Sequence, residues 1–405
     1  MVNILVIQPG FPNEVPYFVR GLARQGAAVY GIGDQPPQAI PEPARAALRD
    51  YLQVPNLWKR EAVIPALRQW RPDLKIHRIE CFWEAAMELA ADLREAFKIP
   101  GLSPKKTRGF RDKHVMRQLL NQAGVRNPRQ AKAESYAQIE QALAHTGYPA
   151  IVKPVAGAGS ADTYRLNSPE DFEKVKPALK KIQSVVVEEF VTGTEYTFDT
   201  ISVNGRILFA NVERYVPTML LARSQEHISP MTISLRDLSA PHFQEARKMC
   251  ETALDTLGLE RGFAHMEWFH TDKGEVVFGE IAARPPGGDA GMLMNYTCDF
   301  DVYNAYAEAM VHGRINQNIE RKYNVAVIFK RAKGNGRISR IEGLVPFRQK
   351  WGAHILKEDL LPVGAKRRNW RQTLLSDGYI MLRHPDLATT LEIAGDVADH
   401  ITLYA

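Results

Sequence analysis

Cysteine is scarce in this chain. Only Cys81, Cys250 and Cys298 occur among 405 residues, odd in number and scattered without metal-type spacing. That excludes a disulfide framework and a cysteine-based zinc site, and it makes a reducing cytoplasm the expected home. Long apolar runs are missing as well. No stretch approaches the roughly 18 apolar residues of a membrane helix, so no membrane partner is expected. The opening "MVNILVIQPG" has no basic region before its apolar residues and reads as a first β-strand, not a signal peptide. There are no internal repeats, no low-complexity segment, and no Ser-His-Asp or Cys-His arrangement that would make a nucleophile system. The first turn, "QPGFPNE", is not G-x-G-x-x-G, which excludes a dinucleotide fingerprint there.

Charge of one sign is short in only one place. Residues 315–405 carry 15 Lys and Arg against nine Asp and Glu, which accounts for the whole net charge of +6. A basic tail favours an anionic partner or is a solvated surface. Its pieces "KRAKGNGR" and "GAKRRNWR" lack interleaved stacking aromatics apart from Trp370, so nucleic acid is not expected.

What is present has ordinary globular composition, 45% hydrophobic and 24% charged, at a length that suggests several domains. Residues 1–102 alternate strand and helix patterns. In "EVPYFVRGLARQG", Val15, Phe18, Val19 and Leu22 share one helical face and Gly26 is a stop. Such alternation predicts a parallel, doubly wound α/β domain. A second unit begins near residue 103, punctuated by Pro100 and Pro104, and runs to 313 with mixed strands and helices. Within it "NGR" after "TISV" signals a hairpin turn. Residues 314–405 read as a small mixed or β-rich domain.

Three stretches carry chemistry. In "FAHMEWFHTDKGEVVFGEI" the turn lies near "TDKG". A hairpin symmetric about Asp272 and Lys273 pairs Glu267 with Phe278, and Glu280, two residues on, shares a face with Glu267. Two carboxylates on one face call for a cation between them, and Mg²⁺ takes oxygen ligands; a solvated surface pair is the alternative. In "AIVKPVAGAGSADT", Lys153 ends an apolar strand and Gly157, Ala158, Gly159 and Ser160 follow. Small residues let backbone N–H groups approach phosphate oxygens, although an ordinary flexible loop has the same composition. No Gly-Lys-Ser/Thr follows, so it is not a Walker A loop. In "VVVEEFVTGTE" a buried strand ends in Glu188 and Glu189. A segment crossing between lobes could offer adenine a backbone acceptor and donor, and Glu195 could take ribose hydroxyls. His265 shares the side of Glu267 and could touch substrate or serve as a hydrogen-bonded structural histidine. His227 and Arg223 sit in a long polar stretch between strands, "ARSQEHISPMT".

The order of these pieces — helix lysine, strand lysine, glycine-rich loop, Glu-Glu hinge, Gly-x-Glu, two hairpin carboxylates and an arginine — resembles the ATP-grasp superfamily over residues 105–313. The resemblance implies a central two-lobed ATP-grasp domain, 103–313, behind a pre-ATP-grasp α/β domain and before a small C-terminal domain. It implies that Lys113 and Lys153 hold nucleotide phosphates and that Gly157, Ala158, Gly159 and Ser160 form a lid over them. Glu188, Glu189 and Val191 would face adenine, the latter two through backbone groups, and Glu195 would bind ribose. Glu267 and Glu280 would hold Mg²⁺, with Mn²⁺ as the substitute, and Arg284 would meet the γ-phosphate or an acyl phosphate. The turn after it, with Gly287 and Gly288, would shape the acceptor pocket, to which Arg223, His227 and His265 would contribute.

The match departs from the family at Ala282, where many relatives have an asparagine that completes a second metal site. The form "E-I-A-x-R-P" looks like the carboxylase and formyl-transfer branches of purine biosynthesis, whereas the Arg-x-Gln-Val-Glu-His of biotin carboxylases is absent. The C-terminal "GRISRIEGL" and "DGYIMLRHPD" resemble amino-acid ligases. The expected function is therefore an ATP-dependent carboxylate–amine ligase working through an acyl phosphate and releasing ADP. The alternative is a carboxylase-type enzyme that activates bicarbonate as carboxyphosphate, and a non-catalytic nucleotide-binding scaffold is a third class. Expected partners are a small-molecule carboxylate and amine, with a homodimer as the assembly admitted.

Overall fold

The computed structural model describes residues 1–154, 164–179, 184–370, 373 and 375–405. The N-terminal sheet is parallel throughout, in the order β3–β2–β1–β4, from β1 (Asn3–Ile7), β2 (Ala28–Gly33), β3 (Leu48–Gln53) and β4 (Arg78–Cys81). Alternation along β1 sends Ile4 and Val6 to one face and Leu5 and Ile7 to the other. Each pair enters a different core. The first is covered by the helix Val15–Arg24, which buries Val15, Phe18, Val19 and Leu22 as its spacing predicts. The second is covered by the helices Arg60–Trp70 and Met87–Ala96. Strand order reverses between β1 and β4, so a crevice opens beyond their carboxyl ends.

A small antiparallel sheet follows, β5–β8–β6–β7, from β5 (Gln130–Ala133), β6 (Ala150–Pro154), β7 (Tyr164–Leu166) and β8 (Val185–Glu189). The helices Tyr136–Thr146 and Pro169–Leu179 pack on it. The large sheet runs β14–β13–β9–β11–β12–β15–β18–β17, with β10 paired to β9. Its strands are β9 (Gly193–Val203), β10 (Arg206–Asn211), β11 (Glu213–Val216), β12 (Met231–Ser234), β13 (Arg261–Thr271), β14 (Val276–Ala282), β15 (Asn324–Phe329), β17 (Ile355–Leu360) and β18 (Gly378–His384); β16 (Arg340–Glu342) and β19 (Thr402–Tyr404) pair separately. The C-terminal strands β15, β18 and β17 thus extend the same sheet that carries β9 and β13, and the core beneath is continuous with theirs.

Local chemistry explains the turns that place the site. Asn204 and Gly205 join β9 to β10 with φ of 52° and 73°, the positive pair that a tight hairpin needs. Between β13 and β14 the register differs from the symmetric expectation. Trp268 faces Phe278, and Glu267 faces Glu280 directly, because a bulge leaves Gly279 over. Glycine is required there, since a Cβ at 279 would lie 2.8 Å from the Glu267 carbonyl oxygen. The bulge keeps both large side chains in the core, where Trp268 and Phe278 are fully buried and the Trp268 indole N–H donates to the Thr197 carbonyl at 3.1 Å.

Candidate active site

Glu267 and Glu280 face each other across the β13–β14 hairpin. Like charges so placed repel unless cations intervene, and cations do. Lys113 begins the helix Lys113–Gln122, which Asp112 caps by accepting from the His114 and Val115 N–H groups. Its Nζ lies 2.6 Å from Glu280 Oε2. On the other side His265 Nε2 is 3.6 Å from Glu267 Oε1, and its Nδ1 is 2.6 Å from Asp199 Oδ1. Burial opposes charge on His265, yet Asp199 and Glu267 push it up to about 10. Burial also works against the Glu267 carboxylate; His265, Lys113 and Arg284 outweigh it and hold that group below the usual range. His265 is therefore an imidazolium brace between two carboxylates.

Arg284 follows β14. Its Nε and Nη2 donate to Glu84 Oε2 at 2.9 and 2.8 Å, and its Nη1 donates to the Pro285 carbonyl at 2.8 Å. Glu84 also accepts from Arg111 and stands just beyond β4, at the N-terminal crevice. After Arg284 the chain turns through Gly288 and Asp289, both at positive φ. The Asp289 carboxylate accepts from the Tyr379 hydroxyl at 2.8 Å, and Glu14, from the first loop, accepts from the Tyr303 hydroxyl. All three parts of the chain converge on this turn.

At the other lobe, Lys153 Nζ lies 2.6 Å from Glu188 Oε2, whose second oxygen accepts from Arg117 Nη2 at 2.9 Å. Burial works against that carboxylate, but the two cations keep it below the ordinary range. Glu189 is gripped by Arg126 and Arg129, and its backbone N–H donates to the Arg129 carbonyl at 2.8 Å. Of the backbone groups expected to meet adenine, the Glu189 donor is thus engaged within the protein. Val191 follows in the segment that crosses to β9. Glu195, at the start of β9, is buried. Burial lifts it to about 7, with Glu267 adding, and its Oε2 accepts from the Met219 N–H at 2.7 Å. Gly157, Ala158, Gly159 and Ser160 lie outside the described residues.

The acceptor-side residues divide. Arg223, Gly287 and Gly288 line one cavity of about 220 Å³, whereas His227 lines a neighbouring one of about 630 Å³ with Lys330 and Lys333. Glu84, Arg117, Asp199 and Asp289 were not singled out by sequence reasoning. A signal existed only for Glu84, an acid one turn past a strand, and it gains meaning only once β1 and β4 are known to flank a crevice.

Two carboxylates with a lysine ammonium seated on one of them fit a hard cation with free positions for water or phosphate oxygens. Among the described residues there is no group of three or more His, Cys, Asp or Glu that could hold a metal ion. No helix of the described residues is long and apolar enough to cross a membrane.

Residues 118–301 match the family model of the ATP-grasp domain. The chain is 24% identical over 276 residues to the L-arginine-specific L-amino acid ligase of Bacillus subtilis, covering 66% of this chain and 65% of that protein. Across the first curated relatives it matches, the chain spans about half to two thirds of their length. Among solved structures, an L-amino acid ligase from Bacillus licheniformis superposes with a TM-score of 0.75 at 20% identity, over 100% of this chain and 99% of that one. The N5-carboxyaminoimidazole ribonucleotide synthetase of Thermotoga maritima reaches 0.68 at 17% identity, over the whole of both chains.

Proposed function

We propose that this protein, whose residues 118–301 match the family model of the ATP-grasp domain, is an ATP-dependent carboxylate–amine ligase acting on amino-acid substrates. The observation that carries this reading is the hairpin face where Glu267 opposes Glu280, with Lys113 on Glu280 and Arg284 just beyond. The likeness to two amino-acid ligases supports the substrate class.

In the proposed reaction a carboxylate oxygen attacks the γ-phosphorus of ATP and ADP leaves. The amine then attacks the acyl carbon, phosphate leaves, and the amine proton passes to solvent. Lys113 and Lys153 neutralise the phosphates. Arg284 meets the charge that develops on the transferred phosphoryl group, where a fixed cation is most effective. Glu267 and Glu280 would hold Mg²⁺, or Mn²⁺ in its place, and the bound ion would supply charge neutralisation at the phosphates. Otherwise the protein positions the reactants. Its free cysteines suit a cytoplasmic setting.

Carboxyl-¹⁸O-labelled substrate tests the route: one ¹⁸O should appear in the released phosphate, and hydroxylamine should trap a hydroxamate when the amine is omitted. AMP and pyrophosphate as products, or unlabelled phosphate, would refute it. Ala282, in place of the asparagine many relatives carry, favours the second reading, a bicarbonate-activating carboxylase. Label transfer and ADP release seen only with bicarbonate would move the assignment there.

A further inference from the structure

The cavity beside Gly287 and Gly288 is lined by groups of a kind that names a ligand. Much of its wall is hydrocarbon, from Met219, Met231, Leu293, Val327 and Phe329, with the Tyr215, Thr232 and Thr373 hydroxyl side chains between. Pro286, Gly287 and Gly288, from the turn that follows Arg284, line it as well, so a molecule in it lies near the proposed phosphoryl site. The volume, about 220 Å³, holds roughly seven waters at about 30 Å³ each. That suits a ligand of amino-acid size, whose bonded heavy atoms each take less room than a water, and is too small for a nucleotide.

One cation at the rim is built in. Arg331 donates from Nη1 to the Ala222 and Gln225 carbonyls at 2.8 and 2.9 Å, and its guanidinium lies 4.5 Å from the centroid of the Trp370 ring. Stacked and tied on one side, it can offer Nη2 to a carboxylate with little loss of rotamer freedom. Arg223 adds a second positive charge to the same lining. The one acid among the described lining residues, Glu213, is 2% exposed and accepts from Asn211 Nδ2 at 3.1 Å. Burial drives its carboxyl well above the usual range, with Asp199 adding to the effect and His265 and Arg321 opposing it. Two cations against one acid that is itself buried make a poor site for a guanidinium or ammonium side chain.

We propose that this cavity selects an α-amino acid with an apolar side chain of about leucine size, its α-carboxylate held by Arg331. A carboxylate paired with a fixed arginine keeps its charge and stays away from the γ-phosphorus, so this amino acid is the amine-bearing substrate. The proposal rests on the ligase reading for that last role, but its binding selectivity does not.

The test is calorimetry on the full-length protein with MgADP, using L-leucine, L-leucinamide, glycine, L-arginine and ribose 5-phosphate. L-Leucine should bind at least tenfold more tightly than each of the others. Arg331→Met should bring leucine and leucinamide to equal affinity, because the contact that tells a carboxylate from an amide is removed. Met219→Trp, on the short helix at the cavity edge, should weaken leucine more than glycine. Arginine, glycine or ribose 5-phosphate binding as tightly as leucine would overturn the assignment. With alanine and leucine supplied together, mass spectrometry should find leucine at the carboxyl end of the product; leucine at the amino end would overturn its role as the amine. If no acid–amine pair released ADP, the ligase reading would fail while the binding order still stood. Ligation without preference for leucine would strike the cavity assignment alone.

Discussion

The Arg284 guanidinium rests on Glu84, with Nε and Nη2 at 2.9 and 2.8 Å from a single carboxylate oxygen, across 200 residues of sequence. The contact joins the N-terminal crevice to the end of the β13–β14 hairpin. It fixes one edge of the guanidinium and so determines where the other points. Burial works against the Glu84 charge, but Arg284, Arg111 and Lys113 hold its carboxyl below the ordinary range. Glu84→Gln should lower kcat by up to about 10²-fold, the scale of a slightly misplaced group, while KM for ATP changes little. Steady-state kinetics check this; a loss confined to KM would mean that Glu84 serves nucleotide binding instead.

Glu280→Gln should nearly abolish turnover in a protein that still folds. One negative charge leaves the face opposite Glu267, and a hard cation binds oxygen ligands largely through charge. ADP release and circular dichroism, measured together, separate the two effects. A folded variant with near wild-type activity would remove Glu280 from the metal site.

Gly279→Ala should disturb the bulge that brings Glu267 and Glu280 face to face. The added methyl would meet the Glu267 carbonyl oxygen at 2.8 Å, and backbone there cannot give way cheaply. Thermal denaturation should show a loss on the order of 1–3 kcal/mol, typical of overpacking in a buried site, and activity should fall with it. Unchanged stability and activity would mean that the strand can shed its bulge without moving either carboxylate.

The pair Glu267 and Glu280 shows how much of this site was legible beforehand and how much was not. Period-two alternation was enough to put both on one face, because a two-residue offset preserves the face. Their direct opposition was not readable, because a bulge depends on how Trp268 and Phe278 pack in the core. The N-terminal sheet was readable for the same local reasons: strands and helices alternate, and Val15, Phe18, Val19 and Leu22 mark a face. Partners distant in the chain were not. Glu84 with Arg284 and Asp199 with His265 are tertiary pairings that no local spacing encodes. The membership of β15, β17 and β18 in the large sheet was hidden likewise, since nothing in those short strands names their neighbours.

The hinge should show a distinct acid sensitivity. Burial opposes the Glu189 charge, but Arg126 and Arg129 outweigh it and bring the carboxyl down to about 2 from 4.5. A depressed folded pKa adds stability that is fully present above the ordinary value and is lost as pH falls from about 4.5 towards 2. Urea titrations between pH 6 and 2.5 should therefore show stability declining over that window, and Glu189→Gln should flatten the decline. An equally steep decline in the variant would assign the acid limb to other carboxylates.

Lys153 separates phosphate recognition from lobe structure. Its Nζ is shared with Glu188 in this structure, and Glu188 keeps a second cation, Arg117, at 2.9 Å. Removing the lysine therefore does not strand a buried charge. In Lys153→Ala the lobe should stay folded while ATP loses a charge-assisted hydrogen bond, so ATP should bind about tenfold or more weakly. Adenosine, which lacks the phosphates, should bind nearly as before. Arg117→Ala is the contrasting variant: Glu188 would keep Lys153, drawing it back from the phosphates, and the buried carboxylate would lose half its compensation, so stability and ATP affinity should fall together. Calorimetry with ATP and with adenosine on both variants decides the matter. Equal losses for the two ligands in Lys153→Ala would make the lysine a structural partner of Glu188 and leave phosphate binding to Lys113.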